Sequence, residues 1–150
     1  LTIVIKMLLI IEHVFDTAHF LSECHRILET GGCMIFTVPF QARYHYIPYD
    51  YWRFTPSSLQ IYLEKAGFEK ICIIPRSRDI CVAAYKTLTI GYRLFFSGSW
   101  WRIILAVFFA PIWILSLIIG QVSLHLNLGS EDDCLGYIIA CEKRSVQRCD

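Results

Sequence analysis

Residues 11–39 read IEHVFDTAHFLSECHRILETGGCMIFTVP, and this stretch holds a helical period and a strand run side by side. Asp16 stands directly before an amphipathic run and predicts the N-cap of a helix over 17–28, because its carboxylate can accept from a free first-turn N–H. Phe20, Leu21, Cys24, Ile27 and Leu28 recur at helical spacing and form its apolar face. Gly31-Gly32 supplies a left-handed stop. Residues 33–38 are apolar enough for a buried strand, and Pro39 closes it.

Working outward, residues 3–11 read as an Ile-rich buried strand, with Lys6 awkward at its centre. Residues 40–54 are aromatic and polar without either period, which reads as a loop. Thr55-Pro56 marks a second helix start, Thr55 as N-cap and Pro56 at the first helical position. That helix carries Leu59, Tyr62, Leu63 and Ala66 and stops at Gly67. Residues 68–74 form a further strand ended by Pro75, and 134–142 a last one. Helical crossovers between short apolar strands imply parallel pairing, with helices on the sheet faces. The expected class is α/β: a partial Rossmann-like three-layer sandwich with a mostly parallel sheet.

Three blocks in this order resemble a known family. They are Ile11-Glu12-His13-Val14-Phe15-Asp16, then the helix from Phe20 to the Gly31-Gly32 turn, then Thr37-Val38-Pro39-Phe40 with His45, Pro48, Asp50-Tyr51-Trp52-Arg53-Phe54-Thr55-Pro56. Together they resemble the C-terminal portion of class I S-adenosylmethionine-dependent methyltransferases of the type 11 group. The resemblance implies a last strand that runs antiparallel beside the strand of 33–38. It implies the distal half of the domain over 1–84 and the last strand and tail over 131–150, and the apolar residues between them read as a helical insertion over 85–130. It also implies S-adenosyl-L-methionine as cofactor, with Glu12, His13 and Val14 bordering its methionine end. The alternative for Glu12 and His13 is that they cap a strand end. The family's Gly-rich turn and following acidic residue have no counterpart, since no Gly precedes Gly31. A start at Leu1 inside an apolar run is read as a buried strand whose preceding sequence is missing.

The loop supplies the candidate substrate site. Arg43 and Arg53 offer guanidinium forks for an anionic group, while Tyr44, Tyr51 and Trp52 offer apolar walls. His45 is a candidate general base, its reference pKa lying near neutrality, or else a loop histidine in a structural hydrogen bond. Asp50 counts as substrate-binding or as the partner of Arg53 in an ion pair that shapes the loop. Trp52 and Phe54 suit packing beneath it. The expected function is methyl transfer to a small-molecule or lipid-linked acceptor. The alternative is a non-catalytic membrane-associated remnant or interaction module of the same fold.

Composition narrows the classes. The formal net charge is +1 and no Lys/Arg stripe occurs, which argues against nucleic acid as a partner. The seven cysteines (Cys24, Cys33, Cys72, Cys81, Cys134, Cys141 and Cys149) form no Cys-x-x-Cys pair and no zinc-ligand spacing, so no metal is assigned. Their odd number and the absence of a secretory signal favour a reducing, cytoplasmic setting. Mean hydropathy is +0.48, and much of the excess sits in 103–124. Residues 103–120 carry no charge and only Ser116 as a polar side chain, reaching the lower limit of the roughly 17–25 residues that span a bilayer. Pro111 divides the run and predicts two helices, either a shallow hairpin in one leaflet or a cover for the sheet or cleft.

Overall fold

The computed structural model describes residues 4–8, as backbone, and 10–144; Ile3, the Lys6 side chain and Cys149 lie outside the described set. Two compact units are present, one made of the residues up to Arg76 and from Gly136 onward, the other of 77–135. The expected boundary after residue 84 therefore falls inside a helix of the second unit.

The first unit runs β1 (Val4–Leu8), a 3-10 turn (Ile11–His13), α1 (Thr17–Ile27), β2 (Cys33–Pro39), α2 (Pro56–Lys65), β3 (Phe68–Arg76) and, after the second unit, β4 (Gly136–Lys143). The sheet order is β1-β2-β4-β3. Among the described residues only the β1–β2 ladder is parallel; β4 pairs antiparallel with both β2 and β3. By pairing the sheet is thus not mostly parallel, a correction with a topological cause. The crossover through α2 leaves a slot between β2 and β3, and β4 enters it by reversing from β3, Arg76 lying opposite Gly136. The antiparallel last strand beside β2 is as the resemblance implies.

Local chemistry sets the helix ends. The Asp16 carboxylate accepts from His19 N at 2.9 Å. Thr55 and Ser58 cap each other, Ser58 N donating to Thr55 Oγ1 and Thr55 N to Ser58 Oγ, a capping box with serine in the usual Glu/Gln place. Gly67, at φ +95°, follows α2 as the left-handed residue that stops it. Helix α1 instead ends earlier than expected, with Leu28 already extended, and Gly31 shapes the turn beyond it. Lys143 Nζ donates to the carbonyls of His25 and Leu28, both at 2.8 Å, closing that helix end with a cation.

The core of this unit is built from Leu21, Met34, Leu59, Leu63, Ile139 and Cys141, none of which is solvent-exposed. Ile27, expected on the apolar face of α1, is 58% exposed, and Thr17 is buried instead. Pro75 does not end β3, which continues to Arg76; β3 is an edge strand, where proline is tolerated. Gly136 sits against β2 so closely that a Cβ there would lie 2.3 Å from Val38 O.

The second unit contains α3 (Asp79–Phe95), α4 (Trp100–Phe108) and α5 (Ala110–Leu126). Its base is pinned where Asp79 N donates to Ser130 O and Ser130 N to Asp79 Oδ1, beside an Arg78–Glu131 ion pair at 2.6 Å. The bend between α4 and α5 is 54°, and Pro111 lies in the first turn of α5. Among the described residues no single helix is long and apolar enough to cross a membrane; the bent pair α4–α5 passes that test of length and composition taken together. An apolar cavity of about 340 Å³ opens between the three helices beside Gly91, Tyr92, Phe95, Ala106 and Trp113.

Candidate functional site

Because β1 and β2 are parallel, the turn that follows β1 and the loop that follows β2 leave the sheet at the same carboxyl edge. That edge is where α/β sheets of this kind bind ligands. The loop is fastened to the turn through backbone atoms: Tyr51 N and Trp52 N both donate to Glu12 O, at 3.0 and 3.3 Å. Trp52 Nε1 adds a bond of 3.0 Å to Val14 O.

Asp50 organises the loop from within. Its buried carboxylate accepts from both terminal nitrogens of Arg53, at 2.6 and 2.7 Å, and from His45 N at 2.9 Å. Those Arg53 bonds hold the Asp50 carboxyl well below the usual carboxylate range, against the opposing effect of burial. Arg53 also donates to Arg43 O and Trp52 O. Its fork is therefore committed to the loop, and the geometry supports the ion-pair alternative over a substrate fork. Arg43 differs: its side chain is exposed and makes no hydrogen bond among the described residues. Tyr44, Tyr51 and Trp52 are exposed at the rim. Phe54 packs in the core as expected, whereas Trp52 lies over the turn, hydrogen-bonded rather than buried beneath the loop.

Glu12 is the unusual group. It is fully buried, and neither carboxylate oxygen has a hydrogen-bond partner among the described residues. Burial pushes its carboxyl above the ordinary value. His13 Nε2 stands 3.7 Å from Glu12 Oε1. The ring of His13 meets that of His45 edge-on, with centroids 5.0 Å apart. Each ring is oriented by a carbonyl. His13 Nδ1 lies 2.8 Å from Tyr49 O, and His45 Nδ1 lies 2.8 Å from Arg43 O and 3.2 Å from Asp50 Oδ2. A carbonyl can only accept, so both Nδ1 atoms carry hydrogen, which leaves Nε2 to each neutral ring as a lone-pair donor.

Glu12, His13 and His45 each bring one donor atom to within 4.8 Å of the other two. No metal ligand was expected from the sequence, because one member of the set arrives from the loop after β2 and leaves no spacing signature. Tyr46 and Tyr49, which the sequence did not single out, line the same place, the Tyr46 ring 5.2 Å from His13. For the expected cofactor the fit is partial. The buried Glu12 carboxyl, with no hydrogen-bond partner, suits the cationic end of S-adenosylmethionine, but no Gly-rich turn for its nucleoside follows any strand among the described residues.

No protein-family model and no curated protein matches the sequence. Among solved structures, the chain is similar to phosphoethanolamine N-methyltransferase 2 of Haemonchus contortus in complex with S-adenosyl-L-methionine. The identity is 16% and the TM-score 0.51, over 95% of this chain and 33% of that one. The same enzyme with phosphomonomethylethanolamine and S-adenosylhomocysteine matches at 15% identity and TM-score 0.51, again over 33% of its length. The [4+2]-cyclase SpnF matches at 13% identity and TM-score 0.50, over 95% of this chain and 49% of that one. The chain thus spans a third to a half of these structures. The fold is that of S-adenosylmethionine-dependent methyltransferases, and a cyclase shares it, so the fold alone does not set the reaction.

Proposed function

We propose that the chain forms the acceptor-side portion of an S-adenosylmethionine-dependent methyltransferase acting on a small-molecule or lipid-linked acceptor. The supporting observation is the fastening of loop 43–54 to Glu12 at the carboxyl edge, where an acceptor can be held against the cofactor's reactive end. When bound, the cofactor supplies an electrophilic methyl group. The transfer is an in-line displacement that depends on proximity and alignment. Arg43 binds an anionic group of the acceptor, and Tyr44, Tyr51 and Trp52 wall it from water. His45 Nε2 accepts the proton that the acceptor loses, with Asp50 and Arg43 O holding the ring. The backbone of Glu12, His13 and Val14 borders the methionine end.

Calorimetric titration with S-adenosylhomocysteine tests cofactor binding, and supplying a Gly-rich partner half in trans tests turnover. Arg43→Ala is expected to raise KM for an anionic acceptor about tenfold or more, the worth of one charge-assisted hydrogen bond. No affinity for S-adenosylhomocysteine, together with unchanged kinetics in Arg43→Ala and Trp52→Ala, removes the assignment.

A second reading, a membrane-associated module without catalysis, rests on a separate observation. Over 110–120 helix α5 carries only Ser116 as a polar side chain, yet Ile112, Ile114, Leu115 and Ile118 are exposed. Since Arg76 pairs with Gly136, both ends of the helical unit meet the sheet at one place. A one-leaflet hairpin over 103–124 satisfies that constraint and a single pass does not. Full solvent reactivity of residues 108–117 in the presence of liposomes excludes it.

A further inference from the structure

We propose that Glu12, His13 and His45 form a binding site for a first-row divalent metal ion such as zinc, manganese or iron(II). The donor set is two imidazoles and one carboxylate, already within 4.8 Å of one another. Bonds of about 2.0–2.2 Å to a tetrahedral ion would set such donors roughly 3.3 Å apart. The His13–Glu12 separation of 3.7 Å is close to that already. Two nitrogen donors favour these ions over calcium or magnesium, which prefer oxygen alone.

The surroundings match what metal ligands need. Each ring donates Nδ1–H to a backbone carbonyl, Tyr49 O or Arg43 O, and Asp50 backs His45 as well. Such outer partners fix the tautomer and aim Nε2 at the ion. The third ligand, Glu12, is a fully buried carboxylate with no hydrogen bond to either oxygen. An unpaired charge in that position is costly, and a cation offsets it. Side-chain exposures of 19% for His13 and 42% for His45 leave an approach from solvent. Three protein ligands leave open coordination positions for an exchangeable molecule.

The site does not rest on the methyl-transfer reading and excludes one part of it: with an ion on His45 Nε2 that lone pair cannot take the acceptor's proton, and the test uses neither cofactor nor acceptor. The full chain is titrated calorimetrically with manganese(II) and with cobalt(II), the latter also followed by its visible spectrum. Wild type and His125→Ala, which removes an exposed histidine of α5, are expected to bind a single equivalent of either ion. Glu12→Gln and His45→Ala are expected to bind at least tenfold more weakly while unfolding as cooperatively as wild type; His45, on an exposed loop, is the safer substitution. Glu12→Gln also relieves a buried charge, so without metal it should be no less stable than wild type. Absence of binding, equal affinity in His45→Ala, or a cobalt spectrum dominated by thiolate charge transfer would overturn the proposal.

Discussion

The side chains that matter most act through backbone atoms, which is why their types alone did not disclose their partners. Asp50 and Arg53 were legible as a pair because they sit three residues apart and have opposite charge. That His45, Glu12 and His13 converge was not, since convergence depends on Glu12 O accepting from two loop amides. A second cluster of this kind lies at the end of α1, where Lys143 crosses from β4. His25 is held below the ordinary histidine value, first by burial and then by the Lys143 charge. A depressed histidine stays neutral in the fold while the unfolded chain takes up its proton, so stability is lost as pH falls below about 6.5. Lys143→Met should cost about 0.5–1 kcal/mol at neutral pH through the uncapped carbonyls. It should also raise the His25 pKa and shrink the acid-side loss. NMR titration of His25 and thermal unfolding on either side of that pH check both; an unmoved His25 contradicts the coupling.

Elements with local signals were readable: Asp16 and Thr55 cap the helices they precede, and Gly67 ends α2. Pro39, Pro56 and Pro111 each mark an element end, whereas Pro75 interrupts nothing, because it lies on an edge strand and its partner residue Tyr137 is far along the chain. The direction of β4 was legible only through the resemblance, since the slot that β4 fills is emptied by a crossover elsewhere. Gly136 marks that slot. An added Cβ would strike Val38 O, a backbone atom fixed by the β2–β4 ladder. Gly136→Ala should therefore destabilise the first unit by about 1–3 kcal/mol. Chemical denaturation measures it, and an unshifted midpoint would show that the strand can give way.

At the level of the whole molecule, the α/β class follows from period and crossover length, while the site needed strand order and loop docking to come together. The pairing of Arg76 with Gly136 has a further meaning for how such a chain can change. To the sheet, everything between those two residues is the tip of a β-hairpin. Replacing 77–135 with a two-residue Asn-Gly turn, which favours that reversal, should leave a cooperatively folding sheet with the strand order β1-β2-β4-β3 kept. Circular dichroism with denaturant titration would reveal this. A lineage could then exchange, enlarge or discard the apolar helices by editing a single junction, and because Gly136 also pairs with Pro39 at the end of β2, such an edit falls on the same edge of the sheet as the loop that carries the chemistry.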